Sequence, residues 1–128
     1  MDIDLPEVVA EVREAFGLYE KALVGNDVAA LNAMFRDDAR TVRYGAGEIL
    51  YGHAEIKTFR AARSPVALGR TLSRTVITTC GREIAVASTL YERPSAPGKT
   101  GRQMQNWVKF SEGWRVVAAH VSLIDKGA

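Results

Sequence analysis

Residues 101–123 read GRQMQNWVKFSEGWRVVAAHVSL, and this stretch decides the fold class. Two segments rich in β-branched and aromatic residues, Gly101–Phe110 and Trp114–Leu123, flank Ser111-Glu112-Gly113. A short glycine-containing linker between two such segments is typical of a β-hairpin. The stretch therefore predicts two neighbouring antiparallel strands.

Two further strands are predicted upstream, Arg70–Cys80 and Glu83–Arg93. Gly81-Arg82 separates them, and the turn-forming residues 94–99 connect them to the hairpin. Because each connection is short, all four strands are expected to form an antiparallel meander.

The first half of the chain has helical periodicity instead. Pro6-Glu7 suits a first helical turn, and Gly25 suits its end. Between them apolar residues recur at spacings of three and four: Val9, Val12, Phe16, Tyr19 and Leu23. Asn26-Asp27 is expected to cap a short second helix that carries Val28, Leu31, Met34 and Phe35.

A short strand, Ala39–Tyr44, is predicted next, followed by the glycine-rich segment 45–48. The third helix fits His53 to Arg63, with Ile56 and Phe59 facing inward. The whole pattern predicts one α+β domain over residues 1–128, a cone-shaped roll with three N-terminal helices packed on a strongly curved, mainly antiparallel sheet. Such a cone encloses a hollow, which is a candidate site.

Composition excludes several classes of protein. The chain has 128 residues, of which 47% are hydrophobic and 25% charged, as in folded domains. Its 17 Lys and Arg against 15 Asp and Glu give a net charge of +2, so no basic footprint for nucleic acid is present. Twelve of those 17 cations are Arg, the residue that binds carboxylates bidentately.

The lone cysteine, Cys80, excludes an internal disulfide and a thiol-rich zinc site. The opening residues Met1-Asp2-Ile3-Asp4 are acidic where a signal peptide is basic and apolar, and no apolar run has the length of a membrane span. We therefore expect a cytoplasmic protein that binds no membrane.

Alternation along the third strand of the meander leaves two interpretations open. Gln103, Gln105 and Trp107 share one face, and the opposite face is also polar. Either the outer face of the sheet is wet or covered by a partner subunit, or the inner face is the polar lining of a cavity.

The last strand is apolar on both faces, which suggests that a second subunit packs on the sheet. Strict alternation places five residues on one face: Trp114, Val116, Ala118, His120 and Ser122. A lone buried His is more often a hydrogen-bonded core residue than a catalyst. Ser122 has no acidic neighbour to complete a triad, and His53 is expected to cap a helix or to face solvent.

Two other residues have ambiguous surroundings. Tyr19 lies on the apolar stripe of the first helix, where a buried hydroxyl needs a partner. Alternation alone slightly favours an exposed Arg43, whereas an Arg buried without a carboxylate would mark an anion site. The pattern reveals no standard catalytic array and no metal or nucleotide motif.

Several stretches together resemble the AtzH/HpxZ-like family of the SnoaL-like, or nuclear-transport-factor-2-like, cone-fold superfamily. The resemblance extends from Leu5 to Leu123 and rests on these segments: 5–8 (LPEV), 19–23 (YEKAL), 41–45 (TVRYG), 50–52 (LYG), 59–63 (FRAAR), 75–79 (TVITT), 101–103 (GRQ) and 113–122 (GWRVVAAHVS).

The resemblance implies a cone with a pocket and a homodimer formed through the sheet, with a tetramer as an alternative. For AtzH-like members it implies a metal-independent decarboxylating amidohydrolase, without cofactor, that converts 1,3-dicarboxyurea to allophanate and ammonia or its breakdown products in bacterial cyanuric acid catabolism. For HpxZ-like members it implies an accessory role in oxalurate or ureide catabolism. Both contexts supply small anionic ureido compounds.

The family's proposed active pair, a Tyr on the first helix and an Arg on the first strand, matches Tyr19 and Arg43. This overrides the weak preference for an exposed Arg43. Arg43 would hold a carboxylate or a carbonyl oxygen, and Tyr19, its pKa lowered by the neighbouring Arg, would transfer a proton to nitrogen. The expected further lining residues are Arg63, Arg70, Gln103, Gln105, Trp107, His120 and Ser122.

Two other functions fit the same pattern. A non-catalytic binding or accessory protein would place the same ligands in the same pocket. A proton-transfer isomerase would need an inward Asp or Glu as base, for which Glu48 is the nearest candidate.

Overall fold

The computed structural model describes residues 1–65 and 68–127 and places three helices on one side of a curved six-stranded sheet. This confirms the α+β cone. Its elements, in chain order, are α1 Pro6–Val24, α2 Val28–Met34, β1 Val42–Tyr44, β2 Ile49–Tyr51, α3 Gly52–Ala62, β3 Thr71–Cys80, β4 Ile84–Glu92, β5 Lys99–Phe110 and β6 Gly113–Asp125.

The helices form for the reasons that the sequence indicates. Pro6 lies in the first turn of α1, and the buried stripe of that helix is Val8, Val12, Phe16, Tyr19, Ala22 and Leu23. The Asp27 carboxylate caps α2 by accepting a 3.1 Å hydrogen bond from the Ala30 amide. Helix α3 begins at Gly52, one residue before the predicted start, where φ is +84° and glycine is favoured.

The sheet has the strand order β2-β1-β6-β5-β4-β3. Strands β3 to β6 form the antiparallel meander that the short connections predict. Strand β1 pairs in parallel with β6, and β1 and β2 form a hairpin around residues 45–48. The sequence prediction missed β2, because three residues are too few to show a period.

A β-bulge between β5 and β6 changes which residues of β6 face the helices. Trp107 pairs with Val116 and Asn106 with Ala118, so Val117 is an extra residue. Beyond the bulge, Ala119 is buried and His120 is exposed. The predicted common face of Trp114, Val116, Ala118, His120 and Ser122 is therefore wrong.

Strand β5 shows the opposite behaviour and alternates strictly. Gln103, Gln105 and Trp107 are each at most 2% exposed, whereas Arg102 and Met104 on the other face are exposed. The inner face of β5 is therefore polar and buried, and its outer face is exposed in the single chain. Polar amides thus lie under the helices, where a core normally has only apolar side chains.

Candidate active site

Tyr19 lies at the centre of the buried stripe of α1 and is 3% exposed. The edge of its ring meets Trp107 of β5 at a centroid distance of 6.3 Å, and Phe35 packs against it at 6.1 Å. These contacts fix the phenol between the helices and the inner face of the sheet.

Arg43 is buried in the middle of β1, which corrects the exposure that alternation alone favoured. The reason is its position in the sheet, because β1 lies between β6 and β2 and turns Arg43, opposite buried Ala119, toward the helices. Arg43 Nη1 donates to Glu48 Oε1 at 2.5 Å, and its Nε has no partner among the described residues. Glu48, in the turn between β1 and β2, thus supplies a carboxylate partner for one end of the Arg43 guanidinium.

Helix α3 adds two arginines to the same interior. Arg60 follows buried Ile56 by four residues and shares its face, and Arg63, the residue at the C-terminal cap of the helix, follows Arg60 by three. Arg60 is completely buried above the Phe35 ring at 4.9 Å, and none of its three guanidinium nitrogens has a hydrogen bond of ordinary geometry with the described residues. Two nitrogens of half-buried Arg63, Nε and Nη2, are unpartnered in the same way.

Arg70, just before β3, is the fourth arginine, with a side chain only 1% exposed. It donates from Nε and Nη2 to the two oxygens of Glu20 on α1, at 2.9 and 2.6 Å. Its Nη2 also donates to Gln103 Oε1 at 3.0 Å. We call Arg43, Arg60, Arg63 and Arg70 the arginine cluster.

The arginine cluster has a positive excess. Its four guanidiniums form ion pairs with only two carboxylates, Glu20 and Glu48. Two positive charges therefore remain inside, together with unpartnered N–H groups on Arg43, Arg60 and Arg63. Burying unpaired guanidinium is costly unless an anion supplies the missing acceptors. The arrangement fits a small doubly charged acid.

The cluster also changes the acidity of the phenol between its members. Burial alone would raise the pKa of Tyr19, but the charges of Arg60 and Arg43, hydrogen bonding by Arg60 and the charge of Arg70 together outweigh burial and hold the pKa below its ordinary value. For Arg63, burial and the neighbouring charges of Arg60 and Arg43 lower the pKa to about 10, so that it stays charged at neutral pH. Tyr19 is therefore a stronger acid than an ordinary tyrosine, because it lies beside positively charged arginines.

Not all of the expected lining residues join the cluster. Gln103, Gln105 and Trp107 are buried on the inner face of β5, Arg70 bonds Gln103 there, and half-buried Arg63 lies near enough to Arg60 and Arg43 for their charges to lower its pKa.

His120 and Ser122 lie on the outer face instead, because of the Val117 bulge. There the His120 ring packs on Tyr44 at 5.9 Å and Ser122 accepts a 3.1 Å hydrogen bond from Arg102. His53 also lies away from the arginine cluster. It lines a surface hollow of about 470 Å³ with Lys57 and Arg115, and its Nε2 is hydrogen-bonded to the backbone oxygen of Asn32 at 2.7 Å.

Sequence reasoning missed three members of the site. The first is Arg60, whose position four residues after the inward-facing Ile56 could have indicated that it faces inward too. Glu20 and the pairing role of Glu48 are the others, and no local pattern shows their partners, which come from separate elements.

Two features are absent from residues 1–65 and 68–127. No helix in these ranges is both long and apolar enough to cross a membrane. Nor do the same ranges hold a group of three or more His, Cys, Asp and Glu side chains arranged as metal ligands.

Comparison with known proteins gives a family match over nearly the whole chain. The AtzH-like family model matches residues 1–127. A crystal structure of a protein of unknown function from Pectobacterium atrosepticum is 57% identical, with a TM-score of 0.94, and the match covers 97% of this chain and 96% of that one. No curated protein matches the chain.

Two further solved structures are similar. A cystatin-like fold protein from Burkholderia xenovorans is 45% identical, with a TM-score of 0.95 and 99% of each chain covered. An NTF2-like protein of unknown function from Pseudomonas putida is 17% identical, with a TM-score of 0.78 and coverage of 91% of this chain and 86% of that one, a likeness of fold alone.

Proposed function

The chain belongs to the AtzH-like family, and from this premise we propose that it is a decarboxylating amidohydrolase of a ureido dicarboxylate such as 1,3-dicarboxyurea. The observation that carries the proposal is the excess of two positive charges, completely buried Arg60 and half-buried Arg63, beside Tyr19. A ureido dicarboxylate is small and planar and bears two negative charges, so its charge matches that of the arginine cluster.

The reaction cleaves one bond between a urea nitrogen and a carboxylate carbon. The electron pair of that bond stays on nitrogen, which takes a proton, and the carboxylate leaves as carbon dioxide. Dicarboxyurea dianion and one proton thus give allophanate and carbon dioxide, which hydrates to hydrogencarbonate. Ammonia appears only when allophanate breaks down further.

Arg43 and the unpaired guanidinium of Arg60 have the role of binding oxygen atoms of the substrate. The retained carboxylate and the urea carbonyl oxygen are the groups that guanidiniums should hold, because the departing carboxylate must lose its charge to leave as a neutral molecule. A donor fixed where charge grows stabilises the transition state without reorganisation. Arg43 is suited to this, since Glu48 already fixes its position.

Tyr19 has the role of proton donor to nitrogen. Its lowered pKa brings the phenol closer to neutrality, which makes it a stronger acid than a free tyrosine. The aromatic contacts with Trp107 and Phe35 hold the ring in place, so that the proton is delivered from one direction. Positioning and proton transfer are then sufficient for the step.

The test is turnover of dicarboxyurea by the purified protein. Carbon dioxide and allophanate are measured for the wild type, Tyr19→Phe and Arg43→Ala, with circular dichroism as the check of folding. We expect both variants to be folded and inactive, because each lacks one of the two groups that act on the substrate. Unchanged turnover in both folded variants would contradict the assignment.

The alternative is a non-catalytic binding or accessory protein of oxalurate or ureide catabolism. Such a protein would be stabilised against heat by the acid and would release no product. A panel of dicarboxyurea, oxalurate, allophanate and biuret, scored for melting temperature and for product, separates the two. An isomerase is disfavoured, because both inward carboxylates, Glu20 and Glu48, are engaged in ion pairs.

We also propose a homodimer formed through the outer face of the sheet. That face carries exposed apolar side chains, including Val76 at 56%, Met104 at 53% and Ile124 at 43%. An exposed apolar patch of this kind is typical of a subunit interface. Sedimentation equilibrium measures the mass in solution, and a monomer at micromolar concentration would contradict the proposal.

A further inference from the structure

Two buried glutamines on β5 have amide orientations that their neighbours dictate. The Trp107 indole N–H donates to Gln105 Oε1 at 3.1 Å. An indole can only donate, so the carbonyl end of the Gln105 amide must face Trp107 and its nitrogen must turn away. Gln105 Nε2 is buried and has no partner among the described residues.

Gln103 is fixed in the same way by a charged pair. Arg70 donates to Gln103 Oε1 at 3.0 Å, and a guanidinium also can only donate. Glu20 holds Arg70 with two hydrogen bonds, so the donor itself is rigidly placed. Gln103 Nε2 is likewise buried and unpartnered among the residues described.

The two free amide nitrogens lie on the same inner face as the arginine cluster. Gln105 pairs across the sheet with Ala119, and Ala119 pairs with Arg43, so these three residues form one cross-strand row. Ala87 is the neighbour of Gln105 on the other side. Because both neighbours of Gln105 are alanines, no large side chain covers its amide in that row.

Every unpartnered buried nitrogen on this inner side is a donor. These nitrogens belong to five side chains: Arg43, Arg60, Arg63, Gln103 and Gln105. A ligand that satisfies them must present oxygen acceptors. A ligand that presents an amide or amine N–H₂ at the same place would leave donors facing donors, which costs binding energy on both sides.

We propose that Trp107 and the Glu20–Arg70 pair are positioning residues that keep both glutamine nitrogens turned inward, so that the site selects a carboxylate end of its ligand against an amide end of the same shape. The location of the ligand rests on the proposed function. The selectivity itself is a property of binding and needs no turnover.

Loss of carbon dioxide converts one end of dicarboxyurea from a carboxylate, which accepts hydrogen bonds, to an N–H₂ group, which donates them. The uncharged amides of Gln103 and Gln105, and not the guanidiniums, would face this departing end, and they repel the N–H₂ group that remains on allophanate. Product release is favoured by the same amides that bind the substrate.

The test uses two unreactive probes that differ at one end only. Glutarate has the five-atom skeleton of dicarboxyurea with a carboxylate at each end, and glutaramate is its monoamide. Titration calorimetry at pH 7 gives both dissociation constants. We expect the wild type to prefer glutarate by about 100-fold, from one charge and the hydrogen bonds that the amide group reverses.

Gln105→Glu is the decisive variant. It keeps the shape of the side chain and an oxygen to accept the Trp107 N–H, but it replaces the inward donor by an acceptor. We expect glutarate to bind about 100-fold more weakly and glutaramate to bind as well as before or better, so that the preference is lost or inverted. The matched control, Gln105→Met, removes both ends of the amide and should weaken glutarate without favouring glutaramate.

Trp107→Phe tests the positioning role. Without the indole N–H the Gln105 amide is free to turn, and the preference for glutarate should fall by about tenfold. A merely structural role of Trp107 would weaken the two probes equally. Should Gln105→Glu fail to fold, Gln103→Glu makes the same exchange of donor for acceptor.

Two results would overturn the inference: a wild-type protein that binds the probes equally, or a folded Gln105→Glu variant that keeps the wild-type preference. Neither depends on catalysis. Absence of turnover in the wild type contradicts the proposed function instead, and the ratio of the two dissociation constants still decides the role of the amides.

Discussion

Replacement of Arg60 by Met should make the protein more stable. Arg60 is completely buried and has no ion pair and no hydrogen bond of ordinary geometry with the described residues, so folding replaces its hydration only with the Phe35 ring and the neighbouring Tyr19 phenol. The desolvation penalty of such an ion is several kcal/mol, and the contact with Phe35 returns at most about 2 kcal/mol. We expect Arg60→Met to raise the free energy of unfolding by about 1–3 kcal/mol.

Arg70→Met is the matched comparison, because the Arg70 side chain is only 1% exposed but is ion-paired with Glu20. Its removal leaves Glu20, whose side chain is 18% exposed, without its two hydrogen bonds. The expected loss is about 2–4 kcal/mol. The two substitutions remove the same charge from the same interior, and the structure predicts effects of opposite sign.

The measurement is thermal unfolding in a buffer without multivalent anions. An unfolding entropy of about 2.1 cal/mol/K per residue, over 128 residues, makes 1 kcal/mol equivalent to roughly 4 °C. Arg60→Met should therefore melt about 4–12 °C above the wild type and Arg70→Met about 8–16 °C below it. Arg13→Met, at an exposed position, should stay within about 2 °C. Equal destabilisation by Arg60→Met and Arg70→Met would refute the reasoning.

Two further predictions concern the phenol and the turn beside Arg43. Because the pKa of Tyr19 lies below its ordinary value of 10.0, ultraviolet titration should show a phenol that ionises below that pH. This ionisation should be absent in Tyr19→Phe. Arg60→Met should raise the pKa of Tyr19, since the Arg60 charge lowers it. A titration that is unchanged in Tyr19→Phe would contradict this. Gly45→Ala should destabilise the protein by about 1–3 kcal/mol, because the new Cβ would lie 1.7 Å from Glu48 Oε1 and displace the partner of Arg43. Gly47→Ala is the control and should change stability little, because the space around Gly47 is open. Equal midpoints of urea unfolding for Gly45→Ala and Gly47→Ala would contradict the prediction for Gly45.

The helices and the meander could be predicted because their signals are local and repeated. Five apolar residues at helical spacing define α1, and glycine-containing linkers define the turns of the sheet. The bulge at Val117 could not be predicted in this way. A strand that is apolar on both faces gives no penalty for a shift by one residue, so nothing in β6 alone shows that His120 turns outward.

The site was less predictable because charged residues occupy positions that normally indicate solvent. Arg60 follows Ile56 on the buried face of α3, and a charge at that spacing interrupts the apolar stripe instead of extending it. Arg43 lies on a strand of three residues, too short for alternation to decide its direction. The family resemblance placed Tyr19 and Arg43 together, and the partners Glu20 and Glu48 followed only from the three-dimensional arrangement.

The charge balance of the arginine cluster also affects how fast a ligand arrives. The excess of two positive charges in the interior equals the net charge of the whole chain. Thirteen cationic and thirteen anionic side chains remain elsewhere, so the rest of the surface offers no net long-range attraction to an acid. Electrostatic steering is therefore weak, and encounter rates should depend little on ionic strength. Acids of different fit are then distinguished by how long they stay rather than by how quickly they are captured.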